Sequence, residues 1–105
     1  MSKKIKHCVY MQFKPQYSVA ERTAIMQRLA DLKPIMNGFL SIEFGENLDF
    51  ENKSDCNAGF VIDFASEADL QNYASHPEHQ KIGSQLVEMS VGGADGIIVF
   101  DLAVE

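Results

Sequence analysis

Apolar positions alternate with polar ones in four stretches of this chain and recur at helical spacing between them. In residues 5–14, IKHCVYMQFK, Ile5, His7, Val9, Met11 and Phe13 share one face of an extended segment. Lys6, Cys8, Tyr10, Gln12 and Lys14 share the other. β-Branched and aromatic residues fill the stretch and Pro15 closes it, so a first strand is predicted. Ser18 and Glu21 then stand at capping-box spacing, which predicts a helix from Val19 with Ile25, Met26, Leu29 and Leu32 as its apolar stripe. Pro34 and Gly38 mark its end and the following turn. Residues 39–47, FLSIEFGEN, form a second strand in which Leu40, Ile42 and Phe44 alternate with Ser41 and Glu43. A polar loop, LDFENKSDCN, leads to a third strand over 58–65, AGFVIDFA, with Ala58, Phe60, Ile62 and Phe64 on one face.

Ser66, with Asp69 three residues on, offers the N-cap of a short helix whose inward stripe is Leu70, Tyr73 and Ala74. Pro77 pushes the residue before it out of helical geometry, so this helix ends near Ser75 or His76. Proline suits the first position of the next helix, which carries His79, Ile82, Leu86 and Met89 at helical spacing. VGGADG ends that helix, and 97–104, IIVFDLAV, is the last strand.

The order β-α-β-β-α-β is that of the split βαβ arrangement. It predicts an α+β, ferredoxin-like subunit: a four-stranded antiparallel sheet with helices on one face, as a single domain over 1–105. The last strand is apolar on both sides. Ile98, Phe100, Leu102 and Val104 form one face, and Ile97 and Val99 the other. Helices can cover only one side of the sheet, so a second copy packed sheet to sheet is expected, giving a homodimer.

Composition narrows the function classes. The chain carries a net charge of -6 and a pI near 4.9, which argues against nucleic-acid partners. Lys3, Lys4 and Lys6 read as a solvated tail. The N-terminal stretch has neither a sustained apolar core nor a small-residue cleavage site, so no membrane span or signal peptide is expected and the assigned compartment is cytoplasmic. Cys8 and Cys56 have no paired spacing that would suggest a disulfide framework or zinc site. His76 and His79 lack a third metal ligand at suitable spacing, and GGADG follows a helix and enters a strand, the wrong order for a dinucleotide loop. No metal and no cofactor is expected.

Candidate chemistry lies on the inward faces. His7, Tyr73 and His79 all share the phase of the core, and Asp101 interrupts the last strand in phase with Ile97 and Val99. A carboxylate there needs a partner, since an unpaired buried charge is costly. His79 is expected to hydrogen-bond Asp101, with a pocket between sheet and helices collecting all four groups and taking a small apolar or aromatic ligand. The structural alternative is that an inward histidine is a satisfied core residue and an inward tyrosine buries its ring. His76, before Pro77, is expected to cap or pack at the helix junction, and Cys8 to be a buried, inert thiol.

The stretches KHCVYMQFK, SIEFGEN, GFVIDFASEADLQNYASHPEHQ and IIVFDL together resemble the stress-responsive dimeric α/β barrel (Dabb) domain family, over nearly the whole chain. The most specific part is the strand, capped helix and Y-x-x-H-P-x-H run. The resemblance implies a ferredoxin-like subunit whose dimer encloses a barrel between two sheets, in a family where most members have no assigned reaction. A plant member, olivetolic acid cyclase, catalyses a cofactor-free aldol cyclisation. Its catalytic histidine and tyrosine match His79 and Tyr73, its strand-one histidine His7, and its orienting aspartate Asp101. A further pocket histidine of that cyclase falls at Ala58 and a pocket tyrosine at Leu29. Three functions follow as expectations: a stress-associated dimer with a small-molecule pocket and no assignable reaction, a cofactor-independent aldol or polyketide cyclase with His79 as base, and a cofactor-free monooxygenase.

Overall fold

The computed structural model describes residues 3–105. Its elements run β1 (Lys4–Met11), α1 (Val19–Ala30), β2 (Phe39–Glu46), β3 (Ala58–Phe64), α2 (Glu67–Ser75), α3 (Pro77–Met89) and β4 (Ile98–Val104). Single turns of 3₁₀ helix at Lys33–Ile35 and Gly93–Gly96 complete the connections. The sheet is antiparallel with strand order β2-β3-β1-β4, the ferredoxin-like arrangement that the element order predicts.

Local chemistry sets the helix starts. Ser18 and Glu21 close a reciprocal capping box at the head of α1. At α2, the Asp69 amide donates to Ser66 Oγ at 3.2 Å, and that hydroxyl donates to Asp69 Oδ2 at 2.9 Å. The helices place Ile25, Met26, Leu29, Tyr73, Ile82 and Leu86 against Val9, Met11, Phe60, Ile62 and Phe64 of the sheet, forming one core.

Two sequence expectations shift. The β1 ladder stops at Met11, and Phe13 continues beyond it through an isolated bridge to Ser90. In β2 the register slips between Phe39 and Ser41, which leaves Leu40 as the extra residue of a bulge. Phe39 therefore faces the core and Leu40 is exposed, the reverse of simple alternation. Beyond the bulge, Ile42 and Phe44 face inward as expected.

The outer face of the sheet carries Tyr10, Ile98, Phe100 and Leu102, all exposed. Gly59 lies directly across from Tyr10, and a Cβ there would come within 2.6 Å of the tyrosine ring, so the glycine makes room for that ring over β3. β4 is an edge strand. Even on its helix side Val99 is 52% exposed, against 58% for Phe100 on the outer side.

Candidate functional site

The junction between α2 and α3 builds the site. In a continuous helix the amide of Glu78 would donate to the carbonyl of Ala74. Pro77 interrupts the helix, with His76 in extended geometry serving as both the C-cap of α2 and the N-cap of α3. The two histidines replace the missing bond from both sides. The Glu78 amide donates to His76 Nδ1 at 3.1 Å. The Ala74 carbonyl, left without a helical donor, accepts from His79 Nδ1 at 3.1 Å.

That bond has a chemical consequence. A carbonyl only accepts, so the proton of neutral His79 sits on Nδ1, and Nε2 presents its lone pair. Burial pushes the His79 pKa below the ordinary imidazole value, aided by the neighbouring His7 and His76 and opposed by the Ala74 bond. The imidazole is therefore held neutral near pH 7.

Tyr73, from the last turn of α2, packs against it at a tilt, with ring centroids 4.2 Å apart and ring planes inclined by 41°. It also meets His7 at 5.8 Å, Phe64 at 5.0 Å and Phe39 at 5.8 Å. The residue is 1% exposed, and its hydroxyl is buried with no hydrogen-bond partner among the described residues. Burial raises its pKa well above the usual phenol range, so it remains a donor.

His7 stands directly across from Asp101 in the β1–β4 register, and its Nδ1 lies 2.5 Å from Asp101 Oδ1. This corrects the expected His79–Asp101 pair. The reason is topological: β4 is the ladder neighbour of β1, so the carboxylate reaches its cross-strand histidine, while His79 is satisfied by its own helix junction. His7 is mostly covered and Asp101 half-exposed, so the cluster meets solvent along β4.

The expected pocket between sheet and helices, collecting all four groups, does not coincide with any of three hollows among the described residues. His7 meets the Tyr73 ring edge-on and His79 meets it at a tilt. A hollow of about 530 Å³ lies instead toward the outer sheet face, lined by residues including Tyr10, Gly45, Cys56, Gly59, Val61 and Ile98. This hollow and two smaller ones, between α1 and α3 and in the loop around Asp49, include none of the four cluster residues. Among the described residues, no group of three or more His, Cys, Asp and Glu side chains is placed to hold a metal ion. No helix among them is long and apolar enough to cross a membrane.

Sequence reasoning missed the Ala74 carbonyl, because a backbone acceptor has no letter. Its signal is the HP break itself, which orphans a carbonyl in the turn before it.

Comparisons with known proteins agree with this architecture. Residues 5–104 match the model of the family described as the stress responsive A/B barrel domain. A dimeric ferredoxin-like protein of unknown function from Jannaschia sp. CCS1 is 35% identical, with a TM-score of 0.88 over 96% of this chain and 99% of that one. The hydroxynitrile lyase of Passiflora edulis is 17% identical, with a TM-score of 0.82 over 100% and 96% of the two chains. SnoaB, a cofactor-independent oxygenase from Streptomyces nogalater, is 10% identical, with a TM-score of 0.78 over 99% and 95%. A search among curated proteins finds no significant match.

Proposed function

The chain belongs to the stress-responsive A/B barrel domain family, and from that premise we propose that it works as a homodimer whose subunits each bind a small carbonyl compound and move a proton on it. The apolar outer sheet face supports the dimer, as does the dimeric state named for the 35% identical Jannaschia protein. Cys8 and Cys56 are unpaired, which suits the reducing cytoplasm.

One observation carries the chemical part. A buried phenol with no hydrogen-bond partner among the described residues lies against an imidazole whose Nε2 lone pair is unengaged by the helix junction that fixes it. An unsatisfied buried hydroxyl costs stability, and a ligand carbonyl would satisfy it. A carbon between two carbonyls is already acidic. His79 Nε2 removes its proton, the C–H electron pair passes into the enolate, and Tyr73 donates a hydrogen bond to the oxygen that gains charge. The enolate carbon then closes on a second carbonyl of the same molecule, and the proton held on Nε2 passes to the new alkoxide. His7, oriented by Asp101, positions the ligand from the sheet side. This is an aldol or cyclase type of reaction that runs on the chain's own groups.

The near-complete burial of Tyr73 favours a second reading, in which the cluster is packed framework and the protein binds a ligand without turning it over. Ring closure of poly-β-keto acids and thioesters, followed by mass with wild type and His79→Ala, separates the two. Loss of a positioned base is expected to lower the rate by about 10²–10⁴. Wild type matching the uncatalysed rate across the panel would leave the binding reading alone. An active His79→Ala would move the base elsewhere.

A further inference from the structure

Gly83 lies one helical turn beyond His79 inside α3. Glycine is a poor choice for a helix interior, because it gives up backbone entropy and covers nothing. Some other glycines of this chain have a visible steric reason. A Cβ at Gly38 would fall 2.0 Å from Asp69 Oδ2, and one at Gly96 would fall 1.9 Å from the Val91 carbonyl oxygen. At Gly83 no such crowding exists. Beyond the helix's own backbone, a Cβ would meet a single atom within 4 Å, His79 Nε2 at 4.0 Å. Neither a left-handed backbone nor a close neighbour demands glycine there. What its missing side chain leaves open is the space beside the nitrogen that carries the lone pair. Gly83 is part-exposed, and α3 lies on the helix side of the sheet, away from the outer sheet face.

We propose that the open space over Gly83 seats the reacting carbon of the ligand, and that Gly83 sets how bulky that carbon can be. This deepens the acid–base reading above and rests on it for the identity of the ligand. A methylene between two carbonyls fits beside a glycine. A branched carbon, or any side chain at position 83, competes for the same volume. The residue is thus a specificity-determining position acting through space, while His79 and Tyr73 touch the reacting groups.

The test needs no substrate. Diethyl pyrocarbonate acylates neutral imidazoles: the ring nitrogen attacks one carbonyl, a nitrogen–carbon bond forms, and ethyl carbonate leaves, to be protonated and lost as carbon dioxide and ethanol. Peptide mass mapping would follow acylation of His79 in wild type, Gly83→Ala and Gly83→Leu, with His76 as internal standard. His79 should react in wild type, more slowly in Gly83→Ala, and about tenfold more slowly or less in Gly83→Leu, the scale of a modest steric clash. His76 should react equally in all three. Gly83→Ala should also melt at or above the wild-type temperature, because alanine is the better helix former. Equal His79 rates in the three proteins, an unreactive His79 in wild type, or a lower melting temperature for Gly83→Ala would each overturn the proposal. If the graded acylation holds while no keto compound is turned over, the open seat stands and the catalytic reading falls.

Discussion

At the scale of single residues, Tyr73 and His79 carry opposite costs. Tyr73 buries a hydroxyl without a partner among the described residues, a penalty of roughly 1–3 kcal/mol for such a group. Tyr73→Phe keeps the ring packing and removes that penalty. It should raise stability by about 1 kcal/mol, read from the denaturant midpoint, while weakening any carbonyl ligand that binds wild type. A loss of stability would mean that the hydroxyl is satisfied in solution. His79 is held neutral, its folded pKa lying below the unfolded one. Between the two values the unfolded chain binds more protons, so stability rises with pH. The contribution is complete above the ordinary imidazole value of about 6.5 and is lost as pH falls toward the lowered folded value. Melting curves from pH 5 to 7 should show a steeper fall on acidification for wild type than for His79→Gln.

At the scale of elements, the decisive feature is the broken helix formed by α2 and α3. An unbroken helix would spend the Ala74 carbonyl on the Glu78 amide and leave His79 free to rotate. The break gives that carbonyl to His79 and gives the amide to His76, so one proline fixes both the orientation and the tautomer of the candidate base. The head of α2 is fixed by Ser66, whose hydroxyl both accepts from and donates to Asp69. Ser66→Ala should cost about 1 kcal/mol in global stability by thermal or urea melts, and a change within error would show that α2 is held by packing alone. In the sheet, the bulge at Leu40 turns Phe39 inward, where its ring meets Tyr73 and Phe64 and forms one wall of the cluster.

At the scale of the whole molecule, the sheet has one covered face and one bare face. Phe100, Ile98, Leu102 and Tyr10 form an apolar surface that a second copy would remove from water, and the 530 Å³ hollow opens beside it. A specific interface of this kind buries roughly 1,000 Å² or more. Phe100→Asp puts a charge at its centre and should convert the dimer to monomer, read by sedimentation at micromolar concentration. Wild type sedimenting as a monomer, or a dimer unchanged by Phe100→Asp, would show that this face is not the interface. The same loop that borders the hollow exposes Leu48 at 88% and Phe50 at 84%, well beyond what a lone subunit's core needs.

The sequence by itself determined the elements, their order and the phase of nearly every side chain. Periods of two and 3.6, together with the caps at Ser18 and Ser66 and the break at Pro77, are local properties of the chain. Those same periods put His7, Tyr73, His79 and Asp101 on inward faces. Which of the four touch was decided only by tertiary structure. Asp101 belongs to His7 because β4 pairs with β1 in a register that no local pattern encodes. His79 bonds a backbone carbonyl, and the bulge at Leu40 reverses the reading of β2, because both depend on where neighbouring segments leave their hydrogen-bonding groups. Phase is a property of one segment and can be read from its letters. Pairing is a property of two segments, and it exists only once the sheet and helices have packed.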